Sequence, residues 1–268
     1  MVHAGSGDVE EYIEFFHRLN RGNPGINGWG IRANRLKSDS PQNLTIEELA
    51  ADYIGKTKKV QPGGPYRLAG WSIGGAIAFE MARQLEAVKD EIAFLALIDT
   101  PAPQFDLASQ TREFTFTLES ELGWLREILP DLATREKIKE VSDIEQLWPL
   151  IVDYLESASF DAGKLREAIP GYINRAIPNI EQLEIRESLN SINRVRTLNN
   201  ARNRYIPGGK VNAVIHFFGA GETGKTYAQA WTCYCERPPV YNELQADHYT
   251  IFKMPQVEKL VNLFNTIS

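Results

Sequence analysis

Continuous apolar runs alternate with segments of helical periodicity along much of the chain. The run IAFLALI at residues 92–98 has the uninterrupted apolar character of a strand buried on both faces of a sheet. Residues 64–71 (GPYRLAGW) and 211–218 (VNAVIHFF) have a similar character, and WGIRA at 29–33 is a shorter run of the same type. This alternation predicts an α/β protein with a mostly parallel sheet and helices on its faces.

Helical spacing of apolar residues is clearest at residues 44–60 (LTIEELAADYIGKTKKV), which predict an amphipathic helix. Thr45 and Glu48 stand three residues apart at its start, the spacing of a capping box in which each side chain bonds the other residue's backbone N–H. The helices predicted around the strands are residues 9–20, 44–60, 74–86 and 255–267.

A block of about 100 residues, from 104 to 205, breaks this alternation. It contains helical segments such as 114–129 and 144–158 and no convincing strand. We therefore expect residues 104–205 to be a helical lid inserted between two strands, and residues 1–103 and 206–268 to form the core.

Composition and charge limit the classes of partner. The 268 residues are 43% hydrophobic and 24% charged, as in ordinary soluble domains, and the net charge is −6. An acidic chain gives no electrostatic reason to expect nucleic acid or an anionic membrane as partner. No apolar run approaches the roughly 18 residues that span a bilayer, and the first residues, MVHAGSGDVEE, lack both the basic and the apolar part of a signal peptide. We expect a cytoplasmic protein.

Metal-binding side chains are few and scattered. The two cysteines, Cys233 and Cys235, have the spacing C-x-C, and the four histidines lie far apart in the sequence. A structural zinc site needs about four ligands. We therefore expect no metal site and two reduced thiols.

The segment FFGAGETGKT, Phe217–Thr226, matches the phosphate-binding pattern G-x-x-x-x-G-K-[ST]. A nucleotide-hydrolysing protein also needs an Asp at the end of a second buried strand to help hold Mg²⁺, and that strand normally lies downstream. Here the buried strand that ends in Asp, residues 94–99, lies upstream, and Pro238 and Pro239 interrupt the chain soon after the motif. A glycine-rich turn after a strand is the favoured interpretation, and a nucleotide-binding protein is a remote alternative.

A second motif, GWSIG at Gly70–Gly74, matches G-x-S-x-G and stands between a predicted strand and a predicted helix. This is the context of a nucleophile elbow, a sharp turn that projects a serine above the edge of a sheet. Ser72 is therefore the candidate nucleophile. A serine hydroxyl needs a base, and His248 follows the last strand and precedes the final helix.

The other histidines fit this role less well. His216 lies inside an apolar strand and is expected to be a core residue, and His17 lies on an early helix. His3 immediately precedes a glycine-rich turn, where it could line the site without being the base.

Two residues compete for the acid that orients the base. Asp99 ends the strand 92–98, and the carboxyl ends of parallel strands are where active sites collect. Glu222 follows the next long strand and would point to the same edge. The residue pattern alone leaves both open.

These motifs together resemble a type I thioesterase domain, the α/β-hydrolase unit that ends many nonribosomal peptide and polyketide synthetases. The resemblance covers residues 2–103 and about 208–267. VHAGSG is similar to the family's H-P-x-G-G turn, with Ala4 where proline is usual, and ADHYTIF resembles its G-x-H segment, with Ala246 in place of Gly. PGGPYRLAGWSIGGAIAFEMARQL matches the elbow, and LIDTPAP resembles the segment that holds the catalytic Asp.

The resemblance implies a thioesterase that takes an acyl or peptidyl chain from the phosphopantetheine arm of a carrier protein through a serine acyl-enzyme. It favours Asp99 as the acid, and it implies release by hydrolysis or by macrocyclisation with no cofactor bound. The alternatives are a free-standing editing thioesterase, another serine esterase, or a catalytically dead module that docks a carrier protein. The implied catalytic residues are Ser72, Asp99 and His248, and the implied oxyanion donors are the backbone N–H groups of Ile73, Ala4 and Gly5.

The same resemblance raises two further expectations. In this fold a central strand precedes the VHAGSG turn, and only Met1 and Val2 stand before it here, so we expect that strand to be truncated and the carrier protein to lie upstream in the same synthetase. The lid would select the acyl chain with an apolar underside. The aromatic residues that supply it are Phe114, Phe116, Trp124, Trp148 and Tyr154.

Overall fold

The structure of the protein is a computed structural model that describes residues 1–22, 24–25, 27–33, 36, 38–103, 116–133, 136–157 and 162–267. It divides into two compact units. The first unit comprises Met1–Ala33, Leu44–Thr111 and Ala201–Ser268, and the second comprises Asn34–Asn43 and Arg112–Asn200. Parts of the predicted lid lie outside the described residues. These parts are residues 104–115, which include Phe114, and residues 134–135 and 158–161.

The first unit contains a four-stranded sheet in which every pairing is parallel. The strands follow one another across the sheet in chain order, and β2 is flanked by β1 and β3. The predicted parallel sheet is therefore confirmed. The strands are β1 (Tyr66–Trp71), β2 (Ile92–Ile98), β3 (Ile215–Ala220) and β4 (Val240–Leu244).

Residues at the start of the chain continue the sheet beyond β1. Val2 forms parallel bridges with both Gly70 and Ile31, and its amide donates to the carbonyl of Ala69 at 2.8 Å. The predicted strand at 29–33 is wrong in extent, since Ile31 forms a single bridge only.

The sequence pattern did not locate β4, because its apolar residues are few and the strand lies at the edge of the sheet. A half-solvated edge strand carries only a weak apolar pattern.

The helices lie close to the predicted ones, and the capping box of the second is confirmed by hydrogen bonds between Thr45 and Glu48 in both directions. A short 3₁₀ turn, Glu10–Tyr12, precedes the first helix. Among the described residues, no helix combines the length and apolar character that crossing a membrane requires. The helices are α1 (Ile13–Gly22), α2 (Ile46–Val60), α3 (Ile73–Ala87), α4 (Leu118–Ile128), α5 (Pro130–Ala133), α6 (Glu136–Lys139), α7 (Ile144–Ser157), α8 (Ala162–Ala168), α9 (Gly171–Ala176), α10 (Ile185–Arg204), α11 (Gly221–Trp231) and α12 (Gln256–Ile267).

Helices cover both faces of the sheet. Gly70 faces α3, since a Cβ there would lie 2.0 Å from the carbonyl oxygen of Gly74. The next residue, Trp71, points to the opposite face and joins a buried cluster with residues of α1 and α12, such as Phe15 and Phe264. Alternate residues of a strand face opposite sides, so β1 is buried by helices on both sides.

The glycines of the phosphate-loop motif have a packing role. β3 ends at Ala220 and α11 begins at Gly221, so the strand runs directly into the helix. A Cβ on Gly224 would lie 2.5 Å from the backbone of Gly219, which shows that the first turn of α11 rests against the end of β3. A phosphate needs an open loop of backbone N–H groups, and these residues form a strand and a helix.

Among its described residues the second unit contains helices and no strand, and it has its own apolar core. Buried side chains from several helices, including Leu125, Trp148 and Ile192, form this core. Residues 34–43 belong to the unit through contacts such as the ion pair of Asp39 and Arg186, whose charged atoms are 2.8 Å apart.

Candidate active site

Ser72 occupies a strained turn between β1 and α3. Its backbone φ is 56° and its ψ is −127°, a conformation that a residue with a side chain rarely adopts. Its amide donates to the carbonyl of Ile98 in the neighbouring strand at 2.9 Å, which holds the turn in place. Strain that persists in this way is a feature of functional sites, and it lifts the serine side chain clear of the sheet edge.

The glycines around Ser72 let neighbouring groups approach the start of α3 closely. A Cβ on Gly74 would lie 2.3 Å from the carbonyl oxygen of His3, and a Cβ on Gly75 would lie 1.9 Å from the hydroxyl of Thr100. No larger residue fits at either position without moving its neighbour. The start of α3 therefore rests directly against the residue 2–7 turn.

A chain of hydrogen bonds joins Ser72, His248 and Asp99. The Ser72 hydroxyl lies 3.2 Å from Nε2 of His248, and Nδ1 of His248 lies 2.7 Å from Oδ2 of Asp99. A carboxylate only accepts, so Nδ1 carries the proton and donates it. The lone pair of Nε2 is then free to accept the serine hydroxyl proton.

Asp99 is fixed by contacts on both of its carboxylate oxygens. Oδ1 accepts a hydrogen bond from the amide of Ala220 at 2.9 Å, while Oδ2 faces His248. The side chain is buried, and Asp99 adopts a positive backbone φ of 43° directly after the end of β2. Glu222, the other predicted candidate, lies in the first turn of α11 and is exposed.

His248 is held between aromatic rings on a short loop after β4. The ring of Trp71 packs 5.3 Å from the imidazole at a tilt of 40°, and Tyr249 meets it edge-on at 5.0 Å. The loop is closed by the amide of Asp247, which donates to the hydroxyl of Thr250 at 3.0 Å. These contacts restrict the imidazole to the orientation that reaches both Ser72 and Asp99.

The three backbone groups predicted as oxyanion donors lie close to the elbow. Ile73 is the first residue of α3, and N–H groups in a helix's first turn have no partner within the helix. Ala4 and Gly5 belong to the turn whose preceding residue, His3, lies against Gly74. The amide of Gly7 closes this turn by donating to the carbonyl of Ala4 at 3.0 Å.

The remaining histidines lie in other surroundings. His216 is half-buried on β3 and stacks on Phe94, and burial lowers the pKa of its imidazole. His17 is exposed on α1. His3 is fully buried, and its Nε2 lies 2.6 Å from the hydroxyl of Tyr53 on α2. Tyr53 lies within the helix predicted at residues 44–60, and nothing in the sequence pattern marked its contact with His3.

Comparisons with known proteins agree with this architecture. The thioesterase domain family matches residues 1–211. The chain is 26% identical to an inactive atromentin synthetase, invA3, of Paxillus involutus over 277 residues, which cover 98% of this chain and 26% of the synthetase. The chain thus spans about a quarter of the length of the curated relatives that it matches.

Two solved structures share the fold. One is a four-domain nonribosomal peptide synthetase with AMP and glycine, with a TM-score of 0.66 and 23% identity over 99% of this chain and 19% of that one. The other is the NocB thioesterase domain in covalent complex with a fluorophosphonate nocardicin G analogue. Its TM-score is 0.58 and its identity is 18%, over 99% of this chain and 92% of that one. The chain therefore belongs to the thioesterase domain family and has the predicted α/β-hydrolase fold.

Proposed function

We propose that this protein releases an acyl or peptidyl chain from a carrier-protein thioester through an acyl-enzyme on Ser72. The observation that carries the proposal is the hydrogen-bonded chain from the Ser72 hydroxyl through His248 to the buried Asp99 carboxylate. Membership of the thioesterase family supplies the class of substrate, a thioester.

The geometry supports a double-displacement mechanism. Nε2 of His248 takes the proton of Ser72 as Oγ attacks the thioester carbonyl carbon, and Asp99 stabilises the imidazolium that forms. The resulting tetrahedral oxyanion is bound by backbone N–H groups of Ile73 and the Ala4–Gly5 turn, and one such donor contributes about 2.7–4 kcal/mol in enzymes where it has been removed. His248 then returns its proton to the departing thiolate, and an ester on Ser72 remains.

The second half of the reaction breaks this ester. His248 takes a proton from water, or from a nucleophile at the far end of the acyl chain, as that group attacks the ester carbonyl. Ser72 leaves with the proton, and the product is a free acid or a macrocycle. In both cases the carrier's phosphopantetheine thiol is a leaving group of the substrate, and the domain itself needs no bound cofactor.

The carrier protein is the partner that this proposal implies. The matched synthetases are about four times as long as this chain, so a carrier upstream in the same synthetase is consistent with their length. Free phosphopantetheine thioesters of acyl chains are the simplest substrates with which the proposed reaction can be measured.

Labelling with a fluorophosphonate tests whether Ser72 is the nucleophile. We expect a single adduct, located on Ser72 by mass spectrometry, because among the described residues only that hydroxyl is hydrogen-bonded to an imidazole whose other nitrogen faces a buried carboxylate. Ser72→Ala should abolish the adduct, whereas the matched control Ser157→Ala, at the end of α7, should leave it unchanged.

An adduct on another residue, or none in the folded wild-type protein, would contradict the proposal. The absence of an adduct together with binding of an acyl carrier protein would favour a docking module instead.

A thermal-shift measurement with Mg²⁺-ATP tests the nucleotide-binding alternative. We expect no shift, since residues 219–226 form the end of a strand and the start of a helix.

A further inference from the structure

The imidazole of His3 is buried beside the elbow and takes no part in the chain that activates Ser72. Both of its nitrogens are engaged. Nδ1 lies 2.7 Å from the carbonyl oxygen of Ala4, and Nε2 lies 2.6 Å from the hydroxyl of Tyr53. A buried histidine with two short contacts next to the Ala4–Gly5 turn requires an explanation.

The contacts themselves determine where the protons are. The Ala4 carbonyl can only accept, so Nδ1 of His3 must carry a proton and donate it. In a neutral imidazole the other nitrogen is then an acceptor, and the Tyr53 hydroxyl must donate to it. Burial, and secondarily the nearby Asp52 carboxylate, raises the pKa of Tyr53, so its hydroxyl keeps this proton across the working pH range.

The direction of the Ala4 carbonyl determines the direction of the next N–H group. Two donors hold this carbonyl, Nδ1 of His3 at 2.7 Å and the amide of Gly7 at 3.0 Å. The peptide unit is planar and trans, so the N–H of Gly5 points opposite to the carbonyl of Ala4. It therefore points away from His3. Apart from Gly5 and its two chain neighbours, no described residue has an atom within 4 Å of the Cβ position of Gly5.

We infer that His3 and Tyr53 are positioning residues that aim the Gly5 N–H as an oxyanion donor. Tyr53 fixes the tautomer and ring orientation of His3, His3 fixes the Ala4 carbonyl, and the planar peptide transmits this orientation to Gly5. The inference rests on the proposed function, since it assigns a role within the same acyl transfer. It assigns the buried histidine to oxyanion stabilisation and leaves proton transfer to His248.

The rate of Ser72 phosphonylation by a fluorophosphonate measures this role, because the phosphoryl oxygen takes the place of the oxyanion. Removing one oxyanion donor lowers rates by about 10²–10³. We expect His3→Gln to approach a 10² loss in the second-order rate constant, and Tyr53→Phe, which leaves His3 in place but less constrained, to lose about tenfold.

Two matched variants separate positioning from loss of packing. The amide of Asn can occupy the place of Nδ1 and donate to the Ala4 carbonyl, so His3→Asn should recover most of the rate that His3→Gln loses. Tyr12 is also fully buried, and its hydroxyl donates to the carbonyl of Val2 at 2.8 Å. Tyr12→Phe removes a comparable buried bond but leaves both contacts of the His3 imidazole in place, and should keep the wild-type rate.

Each result decides one question. Wild-type rates in folded Tyr53→Phe and His3→Gln, or equal losses in Tyr53→Phe and Tyr12→Phe, would overturn the positioning role. Equal losses in His3→Asn and His3→Gln would overturn it as well, since the contact with the Ala4 carbonyl would then have no effect on the rate. No labelling of Ser72 in the wild-type protein would overturn the proposed function instead.

Discussion

At the scale of single residues, the proposed mechanism depends on which nitrogen of His248 carries the proton. Asp99 fixes this by accepting from Nδ1, and it is itself fixed by the amide of Ala220 on its other oxygen. Because the carboxylate is buried, few competing partners are available to it. A small chemical change at Asp99 should therefore alter the tautomer of His248 while the backbone stays in place.

Asp99→Asn is expected to lower kcat by several orders of magnitude, on the order of 10⁴, as the same change does in serine proteases. The amide oxygen of Asn can keep the Ala220 contact, and its NH₂ group then faces Nδ1 of His248. The imidazole would carry its proton on Nε2, where it can no longer accept from Ser72. Steady-state hydrolysis of an acyl N-acetylcysteamine thioester measures the loss.

Glu222→Gln is the control for this substitution and should stay near the wild-type kcat, since Glu222 is exposed on α11. Thermal unfolding would verify that both variants are folded. The opposite ranking would assign the orienting acid to Glu222 and contradict the geometry.

At the scale of elements, the close contact between β3 and α11 lies beside Asp99, the proposed orienting acid. Gly224 lies in the first turns of α11, and a Cβ there would lie 2.5 Å from the backbone of Gly219 and 3.2 Å from Oδ1 of Asp99. The glycines that imitate a phosphate loop in the sequence thus allow the helix to approach both the strand and the carboxylate.

Gly224→Ala should destabilise the protein by about 1–3 kcal/mol, the usual cost of an extra methyl group in a filled space. It should also lower kcat, because the methyl group crowds Asp99. Gly55 on α2 is a matched glycine, since apart from its two chain neighbours and the nearby backbone of α2 no atom of the described residues lies within 4 Å of its Cβ position. Gly55→Ala should raise stability by roughly 0.5–1 kcal/mol, as expected for a helix interior.

Urea denaturation and steady-state kinetics of the two variants measure these effects. Equal stability of Gly224→Ala and the wild-type protein would show that the β3–α11 contact is looser than the structure indicates.

What the sequence could predict at this scale follows from local pattern. β2, with seven apolar residues in sequence, and α2, with its capping box, were located because their signals lie within the element. β4 and Tyr53 were not identified, because the role of each depends on partners distant in the chain, β3 for the strand and His3 for the tyrosine. The elbow at Ser72 combines both cases, since its motif is local and its strain depends on the sheet.

At the scale of the whole molecule, each of the two units has a core of its own. In the second unit a buried ion pair accompanies the apolar core. Arg196 donates to both oxygens of Glu121 at 2.6 and 2.9 Å, and the indole of Trp148 donates to the same carboxylate at 3.0 Å. The guanidinium also packs 4.1 Å from the centre of the Trp124 ring. Two of the aromatic residues expected to line a lid are therefore part of this network.

We propose that the second unit selects the acyl chain, and Glu121→Gln, a substitution within that unit, tests this. Removing one partner of a buried ion pair leaves the other charge uncompensated and costs about 3–5 kcal/mol. Hydrogen exchange should therefore quicken in residues 116–133 and 144–157, while β1 and β2 stay protected. Glu181→Gln, which breaks the exposed pair with Arg166 in the same unit, should leave the exchange of both segments at the wild-type rate.

The functional readout is the ratio of kcat/KM for long and short acyl N-acetylcysteamine thioesters, compared with the rate at which a small fluorophosphonate labels Ser72. A small probe needs the Ser72–His248–Asp99 chain and the oxyanion donors but no surface that binds a long acyl chain, so its rate should stay within a few-fold of wild type. The chain-length ratio should fall, because an apolar surface that discriminates between chains must be ordered. An unchanged ratio in a variant whose second unit exchanges freely would show that the acyl chain is selected elsewhere.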